Sequence, residues 1–324
     1  MINNSSQKAS LSIIIISYNT RALLLGCLKN LNSAEPEHPF EIIVADNDSH
    51  DGTAAAVKKD FPGVILIQNG SNLGFGAAVN RAVRQAGGRY LMILNPDTVV
   101  VPATIDKMLD YLEDCEDDRV VGCRLRNGDG SLQLSCSRFP TPLRIFSLFS
   151  RLDVLLRGEK FQMYYEKLSL RGHKIVCPFH GLTPRMVDTV LGACFIIPRQ
   201  LFEKAGGFDE RYFMHYEEVD LFRSLQELGA GVYFLPGLVV THYGAQSTAQ
   251  DYVKMRLEQQ RSLLLYLSKW HGPKAAQFIK AEFIIFGLLR LAGLFTVRVF
   301  RSGNRDKADE QYRAARMLLS NLVK

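Results

Sequence analysis

Acidic side chains follow two apolar runs of this sequence. "FEIIVAD" ends on Asp46, with Asp48 just beyond it, and "YLMILNPDT" closes with Asn95 and Asp97. A carboxylate at a strand end, such as Asp46, is free to accept a hydrogen bond from the imide N–H of uracil or thymine. A single carboxylate such as Asp97 is a thin basis for a metal site, and the alternative is that it caps a helix beginning near Pro102.

A second acidic cluster lies in "HYEEVDLF". On a helix, Glu217 and Asp220 share one face at i,i+3, whereas Glu218 points about 100° away. Aromatic residues flank the stretch, so we expect partly buried carboxylates, which are good general-base candidates, rather than a solvated acidic face. His242 ends the strand-like run "LVVTH". A lone histidine is more often structural than a ligand.

A glycine motif in "GSNLGFGAAVN" resembles part of a dinucleotide-binding fingerprint. Gly74 and Gly76 follow a predicted strand, but Val79 stands where the third glycine belongs, and the motif opens the third βα unit rather than the first. A nucleotide-dependent dehydrogenase is therefore a weak alternative. The motif still indicates close backbone approach to a ligand at a helix N-terminus.

The elements that position these residues alternate between strand and helix over the first hundred residues. Continuous β-branched runs such as "LSIIIIS" predict strands buried on both faces, and helical spacing separates them. The βαβαβαβ pattern predicts an α/β fold with a mostly parallel central sheet flanked by helices. Ligands bind beyond the carboxyl ends of such strands, so the polar tips collect along one edge.

Composition limits the class of protein. The chain has 324 residues, 47% of them hydrophobic and 22% charged, which is typical of a globular protein. Its six cysteines include no CxxC pair, which argues against a zinc knuckle or a disulfide framework and fits a reducing compartment. The first apolar run is too short for a signal peptide. We expect a cytoplasmic protein.

The order and spacing of six stretches resemble the inverting family 2 glycosyltransferases of the GT-A fold, in the rhamnosyltransferase-like branch. The resemblance runs from about Leu11 to Thr248. The stretches are "SIIIISYN", "IIVADNDSHDGT", "NLGFGAAVN", "YLMILNPDT", "VLGACFIIPRQLFEKAGGFDERYFMHYEEVDL" and "THYGAQS".

The resemblance implies roles for the matching residues. Asp97 and His242 would bind Mg²⁺ or Mn²⁺. Glu218 would be the catalytic base, with Glu217 beside it and Asp220 as a supporting acid. Because a glutamate stands at 218 where the family has aspartate, the choice of base between Glu217 and Glu218 stays open. The nucleotide-binding positions would be Tyr18, Asn19, Asp46, Asp48, Asn72, Gly74, Phe75, Asn95 and Asp97.

The activity implied by the resemblance is metal-dependent, inverting transfer from a nucleotide sugar to a glycan or a polyprenyl-diphosphate-linked acceptor in surface polysaccharide synthesis. dTDP-rhamnose is the first choice of donor, and a UDP-hexose is the alternative, since thymine and uracil offer the same imide N–H. The catalytic domain would span residues 1–250. Its nucleotide-sugar half would cover about 10–125 and its acceptor half 126–250.

The remaining residues, 251–324, are predicted to form a basic amphipathic helical tail. They hold 14 lysines and arginines against 6 aspartates and glutamates, a net charge of +8. Basic residues between 280 and 305 fall on one helical stripe, which predicts peripheral contact with the cytoplasmic face of the inner membrane. The alternative is a helix packed on the catalytic domain or on a second copy in a homo-oligomer. No nucleic-acid partner is expected.

Overall fold

The computed structural model describes residues 10–33, 37–115, 118–150, 181–244 and 252–300, together with 312–313, 315–317 and 319–320. These residues divide between two compact units. The first takes its residues from Met1–Phe139 and Ile175–Gln250, and the second from Pro140–Lys174 and Asp251–Lys324.

The first unit contains the predicted alternation of strands and helices. Its strands are β1 (Leu11–Ser17), β2 (Phe40–Asp46), β3 (Ile65–Gln68), β4 (Tyr90–Leu94), β5 (Thr98–Val99), β6 (Arg119–Arg126), β7 (Cys136–Ser137), β8 (Arg185–Val187), β9 (Thr189–Val190), β10 (Cys194–Pro198) and β11 (Gly231–His242). Its helices are α1 (Arg21–Leu31), α2 (Thr53–Asp60), α3 (Phe75–Val83), α4 (Pro102–Glu113), α6 (Arg199–Lys204) and α7 (Glu217–Glu227).

Among the described residues, nine strands form the central sheet. Eight follow the order β3-β2-β1-β4-β10-β6-β11-β5, and β8 pairs with β11. Strands β3, β2, β1 and β4 are parallel neighbours, as the alternating pattern predicts, whereas β10 runs antiparallel between β4 and β6. In the register, Ser17 pairs with Asp46 and Asp46 with Gln68, so the carboxyl ends of β1, β2 and β3 meet at one edge. The predicted α/β class is confirmed.

Helices cover both faces of the sheet because β1 is apolar on both sides. Ile13 and Ile15 belong to one buried cluster, which includes residues of α1 and α4. Ile14 and Ile16 belong to the other, which includes residues of α3 and α7. Successive side chains of a strand point to opposite faces, so the continuous run "IIII" supplies two cores at once.

One cysteine departs from the expectation based on cysteine spacing. Cys136 is disulfide-bonded. The free thiols among the described residues are those of Cys27, Cys115, Cys123 and Cys194. The absence of CxxC pairs therefore did not exclude a disulfide, because disulfide partners can lie far apart along the chain.

The second unit is helical where it is described. It contains α5 (Pro142–Ser150), α8 (Tyr252–His271) and α9 (Pro273–Phe300). Gly272, at φ +85°, separates the last two helices, so the tail is not one continuous helix. Residues 301–311, which include part of the predicted basic stripe, lie outside the described residues. Over the described part of the chain, we find no helix that combines the length and apolar character needed to span a membrane.

Candidate active site

The residues predicted to hold a metal come together at one corner of the sheet, which we call the Asp97–His242 corner. His242 ends β11 and pairs with Thr98 of β5, so the two predicted ligands are brought together by sheet pairing. Oδ1 of Asp97 lies 3.2 Å from Nε2 of His242, and both side chains are 8% exposed. The side-chain amide nitrogen of Asn95 lies 3.3 Å from the same imidazole nitrogen.

Asp97 does not cap the following helix. Helix α4 begins at Pro102 with Val101 at its N-cap and no side-chain cap hydrogen bond. The Asp97 backbone carbonyl instead accepts a hydrogen bond from the N–H of Tyr243 at 2.9 Å. The capping alternative is therefore wrong, and the Asp97 carboxylate is directed at His242.

The corner fits a divalent cation, although incompletely. A carboxylate oxygen, an imidazole nitrogen and an amide side chain are nitrogen and oxygen donors of the kind that Mn²⁺ takes. Among the described residues, no group of three or more His, Cys, Asp or Glu side chains is placed to hold a metal. Mg²⁺ sites often have one or two carboxylates and are completed by water and substrate phosphates. The corner is thus suited to a cation shared with a phosphate-bearing ligand.

The acids of α7 form a second site, the Glu217–Glu218 pair. Glu217 and Asp220 are buried, which excludes a solvated acidic face. Oε2 of Glu217 and Oε2 of Glu218 are buried without a hydrogen-bond partner among the described residues. Burial raises the pKa of Glu217 well above its ordinary value, and the charge of Glu218 raises it further. Burial also raises the pKa of Glu218, while backbone N–H groups, including that of Gly192, partly offset this effect.

Asp220 has a different contact from its two acidic neighbours. The hydroxyl of buried Tyr212 donates to Oδ1 of Asp220 at 3.2 Å. Burial first, and then the charge of Asp220, raise the pKa of the Tyr212 phenol, so this hydroxyl keeps its proton. Asp220 thereby joins the start of α7 to the loop that precedes it.

A turn at Gly192–Ala193, within the three residues that separate β9 from β10, joins the two sites. The Gly192 N–H stabilises the Glu218 carboxylate, and a Cβ placed on Gly192 would lie 3.4 Å from Cγ of Glu218. The carbonyl of the next residue, Ala193, accepts from the backbone N–H of Asn95 at 2.9 Å. The Asp97–His242 corner and the Glu217–Glu218 pair therefore flank one turn, the Gly192–Ala193 turn.

At the carboxyl edge of β2, Asp46 offers an unused oxygen. Its Oδ2 accepts from the N–H of Ser49 at 3.1 Å. Its Oδ1 is buried and has no hydrogen-bond partner in the part of the chain that the structure describes. Asp48, at φ +66°, is exposed just beyond it. A buried acceptor without a donor is costly, and an incoming N–H would satisfy it.

Other predicted nucleotide-binding residues have structural contacts at this edge. Oδ1 of Asn19 accepts from the N–H of His50 at 2.8 Å, and the Asn19 backbone N–H donates to Oγ of Ser49 at 2.9 Å. Oδ1 of Asn72 accepts from the Gly74 N–H at 3.0 Å and from Nδ2 of Asn47 at 3.2 Å. Tyr18 is half-exposed beside them. Ligand contact by these residues stays a prediction.

Gly74 is required by the fold itself. It has φ +83°, and a Cβ there would lie 2.2 Å from the carbonyl oxygen of Phe213. That same carbonyl accepts from the N–H of Phe75 at 2.9 Å. The close backbone approach that the sequence predicts is therefore made by the loop before α7, and contact of Gly74 or Phe75 with a ligand remains a prediction.

Strained backbone concentrates around the two predicted binding regions. The described non-glycine residues with positive φ are Asn19, Asp48, His215 and Tyr216. The first two lie in the loops after β1 and β2, and the last two come directly before the Glu217–Glu218 pair. Left-handed backbone costs about 1–3 kcal/mol per residue and clusters at functional sites.

The structure also adds three residues that sequence reasoning did not place in the site. Gln133 lies 2.7 Å from Nδ1 of His242, through its Oε1. Gly192 contacts Glu218, and Asn47 holds the loop that carries Asn72. The only sequence signals were a turn at 127–130 and a glycine within "VLGACF", and neither signal indicates a partner.

The chain matches the model of the family "Glycosyl transferase family 2" over residues 12–177. It is 29% identical over 273 residues to the N-acetylglucosaminyl-diphospho-decaprenol L-rhamnosyltransferase of Mycobacterium tuberculosis H37Rv, covering 81% of this chain and 85% of that protein. It is 27% identical over 268 residues to the rhamnosyltransferase WbbL of Escherichia coli K12, covering 79% of this chain and 92% of that one.

Two solved structures share the fold at low sequence identity. The mannosyltransferase PcManGT of Pyrobaculum calidifontis, in complex with GDP-Man and Mn²⁺, aligns with a TM-score of 0.53 and 16% identity over 98% of this chain and 87% of that one. GalNAc-T7, with UDP, GalNAc and Mn²⁺, aligns with a TM-score of 0.51 and 15% identity over 74% of this chain and 44% of that one. These likenesses confirm the predicted GT-A fold.

Proposed function

The chain belongs to glycosyl transferase family 2 and is a glycosyltransferase, and we propose that it transfers rhamnose from dTDP-rhamnose to a lipid-linked glycan with inversion at the anomeric carbon. The observation that carries the proposal is the pair of sites flanking the Gly192–Ala193 turn. A cation-binding corner lies on one side, and buried carboxylates lie on the other.

Asp97 and His242 would hold a divalent cation against the diphosphate of the donor. When bound, such a cation neutralises the charge that develops on the leaving nucleoside diphosphate. Asn95, whose amide nitrogen lies 3.3 Å from Nε2 of His242, would contact the nucleotide or a bound water through its neutral amide. The Mn²⁺ in the two structural neighbours supports a divalent cation for this chain, and the donor set accepts Mg²⁺ or Mn²⁺.

Glu218 is the better candidate for the general base. Its side chain is half-buried, whereas Glu217 is 5% exposed, so Glu218 is the more accessible of the two to an acceptor hydroxyl. Backbone N–H groups stabilise the Glu218 carboxylate, whereas burial and the charge of Glu218 both raise the pKa of Glu217. The ionised Glu218 would take the proton of the acceptor hydroxyl as that oxygen attacks the anomeric carbon.

Asp46 supports a pyrimidine donor. Its buried Oδ1 lacks a donor, and the imide N–H of thymine or uracil would supply one. The two rhamnosyltransferase relatives favour dTDP-rhamnose within this pair, and a UDP-hexose is the second candidate. Guanine also has a ring N–H that could donate to Asp46. GDP-mannose is therefore a suitable control for the preference for a pyrimidine nucleotide.

The acceptor follows from the M. tuberculosis relative, whose name specifies an N-acetylglucosaminyl-diphospho-decaprenol. An acceptor of this class lies in a membrane, and the helical unit offers an apolar stripe to reach it. Phe278, Ile285 and Leu289 are at least half exposed along one side of α9. With the net charge of +8 over residues 251–324, this stripe supports peripheral binding to an anionic membrane.

A panel of sugar nucleotides tests the donor and the cation. We expect dTDP-rhamnose, and more weakly UDP-hexoses, to raise the Tm with Mn²⁺ or Mg²⁺ and not with EDTA, because a ligand of the folded state stabilises it. GDP-mannose should give no shift. Transfer to a polyprenyl-diphospho-N-acetylglucosamine, with the anomeric configuration of the product determined by NMR, tests the reaction. Full transfer activity in EDTA, or retention of configuration, would overturn the proposal.

A further inference from the structure

The turn after β6, residues 127–133, carries a series of side-chain hydrogen bonds that ends on His242. Gln133 reaches Nδ1 of His242 through its Oε1 at 2.7 Å. Its Nε2 donates to Oδ1 of Asn127 at 2.9 Å. Nδ2 of Asn127 donates to Oγ of Ser131 at 2.9 Å, and the Ser131 hydroxyl donates to Oδ1 of Asp129 at 2.6 Å.

These hydrogen bonds have one direction because the series begins at a carboxylate. The ionised carboxylate of Asp129 only accepts, and hydrogen bonds from Ser131 lower its pKa. The hydroxyl hydrogen of Ser131 is therefore committed to Asp129, and Oγ of Ser131 accepts from Asn127. This orients the Asn127 amide with its nitrogen toward Ser131 and its oxygen toward Gln133.

The same reasoning fixes the next amide and then the imidazole. Because Oδ1 of Asn127 accepts, the nitrogen of the Gln133 amide must face it, and that nitrogen also lies 3.5 Å from the carbonyl of His242. Oε1 of Gln133 consequently faces Nδ1 of His242. An amide oxygen cannot donate, so Nδ1 carries the hydrogen. In the neutral ring Nε2 then has a lone pair, which can accept from Nδ2 of Asn95 at 3.3 Å and lies 3.2 Å from Oδ1 of Asp97.

We propose that the 127–133 turn positions His242 and selects its Nδ1–H tautomer, so that the Nε2 lone pair is presented to a cation bound with Asp97. The use of that lone pair rests on the proposed function, whereas the tautomer rests on the hydrogen bonds alone. Gln133 touches no reacting atom and acts through His242. Partners of this kind commonly change metal affinity by about 10- to 100-fold.

The turn does not need these side chains in order to close. The Asn127 N–H donates to the Ser131 carbonyl at 2.9 Å, and the Gly130 N–H donates to the Asn127 carbonyl at 2.9 Å. A backbone bridge between Arg126 and Leu132 extends the same closure. Asp129 and Ser131 are exposed, so their side chains serve no core. Because the backbone already closes the turn, the side-chain hydrogen bonds serve to orient the Gln133 amide and, through it, His242.

The tautomer can be read directly by NMR on the metal-free protein labelled with ¹⁵N-histidine. The resonances of His242 are identified by their loss in His242→Asn. We expect Nδ1 to carry the hydrogen in the wild type, and Gln133→Leu to shift the ring toward the Nε2–H form. A wild-type ring with hydrogen on Nε2, or a tautomer unchanged by Gln133→Leu, would overturn the inference.

Mn²⁺ binding provides the second measurement, with dTDP present and free Mn²⁺ followed by EPR. We expect Gln133→Leu to weaken binding by about 10- to 100-fold and Gln133→Glu, which keeps an acceptor for Nδ1–H, to retain it. Ser131→Ala should show a smaller loss. Leu132→Ala is the matched control, because Leu132 is 58% exposed on the same turn and takes no part in the series.

These two measurements separate the inference from the proposed function. If the wild type fails to bind Mn²⁺ while its tautomer depends on Gln133, the cation role fails and the positioning inference stands. If the wild type binds Mn²⁺, His242→Asn abolishes binding and Gln133→Leu has no effect, the positioning inference fails alone. Tm values of all variants show whether each is folded.

Discussion

The two acidic sites beside the Gly192–Ala193 turn use their carboxylates in opposite ways. At the Asp97–His242 corner, Asp97 faces an imidazole whose two nitrogens both have partners. In the Glu217–Glu218 pair, each side chain has a buried oxygen without a partner. The corner therefore pairs its carboxylate with an imidazole, whereas burial in the pair favours carboxyl groups that keep a proton.

This contrast matches the two requirements of glycosyl transfer. A leaving diphosphate needs positive charge that stays in place, and an acceptor hydroxyl needs a base whose pKa lies nearer to neutrality. The difference arises from surroundings rather than from residue type, since both sites use acids with ordinary reference pKa values near 4.

The largest loss of kcat is expected from substitution of the proposed general base. Glu218→Gln would remove the proposed proton acceptor while keeping the shape of the side chain, and should lower kcat by about 10²- to 10⁴-fold. Glu217→Gln mimics the protonated acid that burial already favours there, and should lower kcat by less than about tenfold. The kcat values with saturating donor and acceptor decide between them. A larger loss in Glu217→Gln would exchange the two roles.

The corner should respond less strongly but with a different signature. Asp97→Asn should lower transfer by about 10²- to 10³-fold, because a bound cation contributes several kcal/mol to the transition state. It should also raise the Mn²⁺ concentration needed for half-maximal rate. Asp110→Asn is the matched control, a half-exposed acid whose contact is with His38. An unchanged Mn²⁺ requirement in Asp97→Asn would contradict the assignment of the corner.

Asp46 combines features of both sites, since one oxygen is bonded and the other is buried and unused. Asp46→Asn keeps the volume but weakens the acceptor, so the dissociation constant for dTDP should rise by about 10- to 100-fold. Isothermal titration in the presence of Mn²⁺ measures it. Because Asp46 is proposed to bind the pyrimidine ring of the donor and not to take part in the reaction, kcat at saturating donor should change little. A fall in kcat with an unchanged dissociation constant would show a role in chemistry instead.

The pH dependence of activity tests whether burial determines the pKa of the proposed base. Burial raises the pKa of Glu218. If Glu218 is the base, as proposed, transfer requires its ionised form, so we expect activity above the raised pKa and its loss as pH falls through that pKa. The acid limb of kcat/KM should therefore lie above the ordinary glutamate range, with about tenfold loss per pH unit below it. Binding of dTDP and Mn²⁺, measured over the same range, shows whether the limb belongs to chemistry. A limb near pH 4 would indicate a solvated base.

The predictable part of the molecule is the part that local patterns specify. Runs such as "LSIIIIS" reveal a strand without knowledge of its neighbours, and the strand tips then collect Asp46 and Asp97 at one edge. The family resemblance, which rests on the order of the motifs, predicted that His242 and Asp97 share one site, and the structure has them 3.2 Å apart. Gln133 was not predicted because its partner lies 109 residues away and leaves no periodic signal. Gly74 was assigned to a ligand, but the chain itself, at Phe213, makes the close approach.

A buried carboxylate far along the sequence shows what burial does without a catalytic role. Glu282, in the helical unit, is 4% exposed, and neither oxygen has a hydrogen-bond partner among the residues that the structure describes. Burial raises its pKa to about 7. The pKa of Glu282 is higher in the folded than in the unfolded state. Its contribution to the free energy of unfolding is therefore fully present below the ordinary glutamate pKa and is lost as pH rises through about 7.

Glu282→Gln should therefore raise the Tm by about 2–4 °C at pH 8 and leave it nearly unchanged at pH 4.5. Calorimetry at the two pH values measures this, and transfer activity should stay at the wild-type level. Glu258→Gln, on α8 and ion-paired with Arg261, is the control and should show no gain at pH 8. An equal Tm change at both pH values would mean that the effect comes from packing and not from charge. If Glu282→Gln raises the Tm only at pH 8 and keeps full activity, burial alone is enough to raise the pKa of a glutamate in this protein. A raised pKa would then be no evidence for catalysis, and the proposed role of Glu218 would rest on its position beside the Gly192–Ala193 turn.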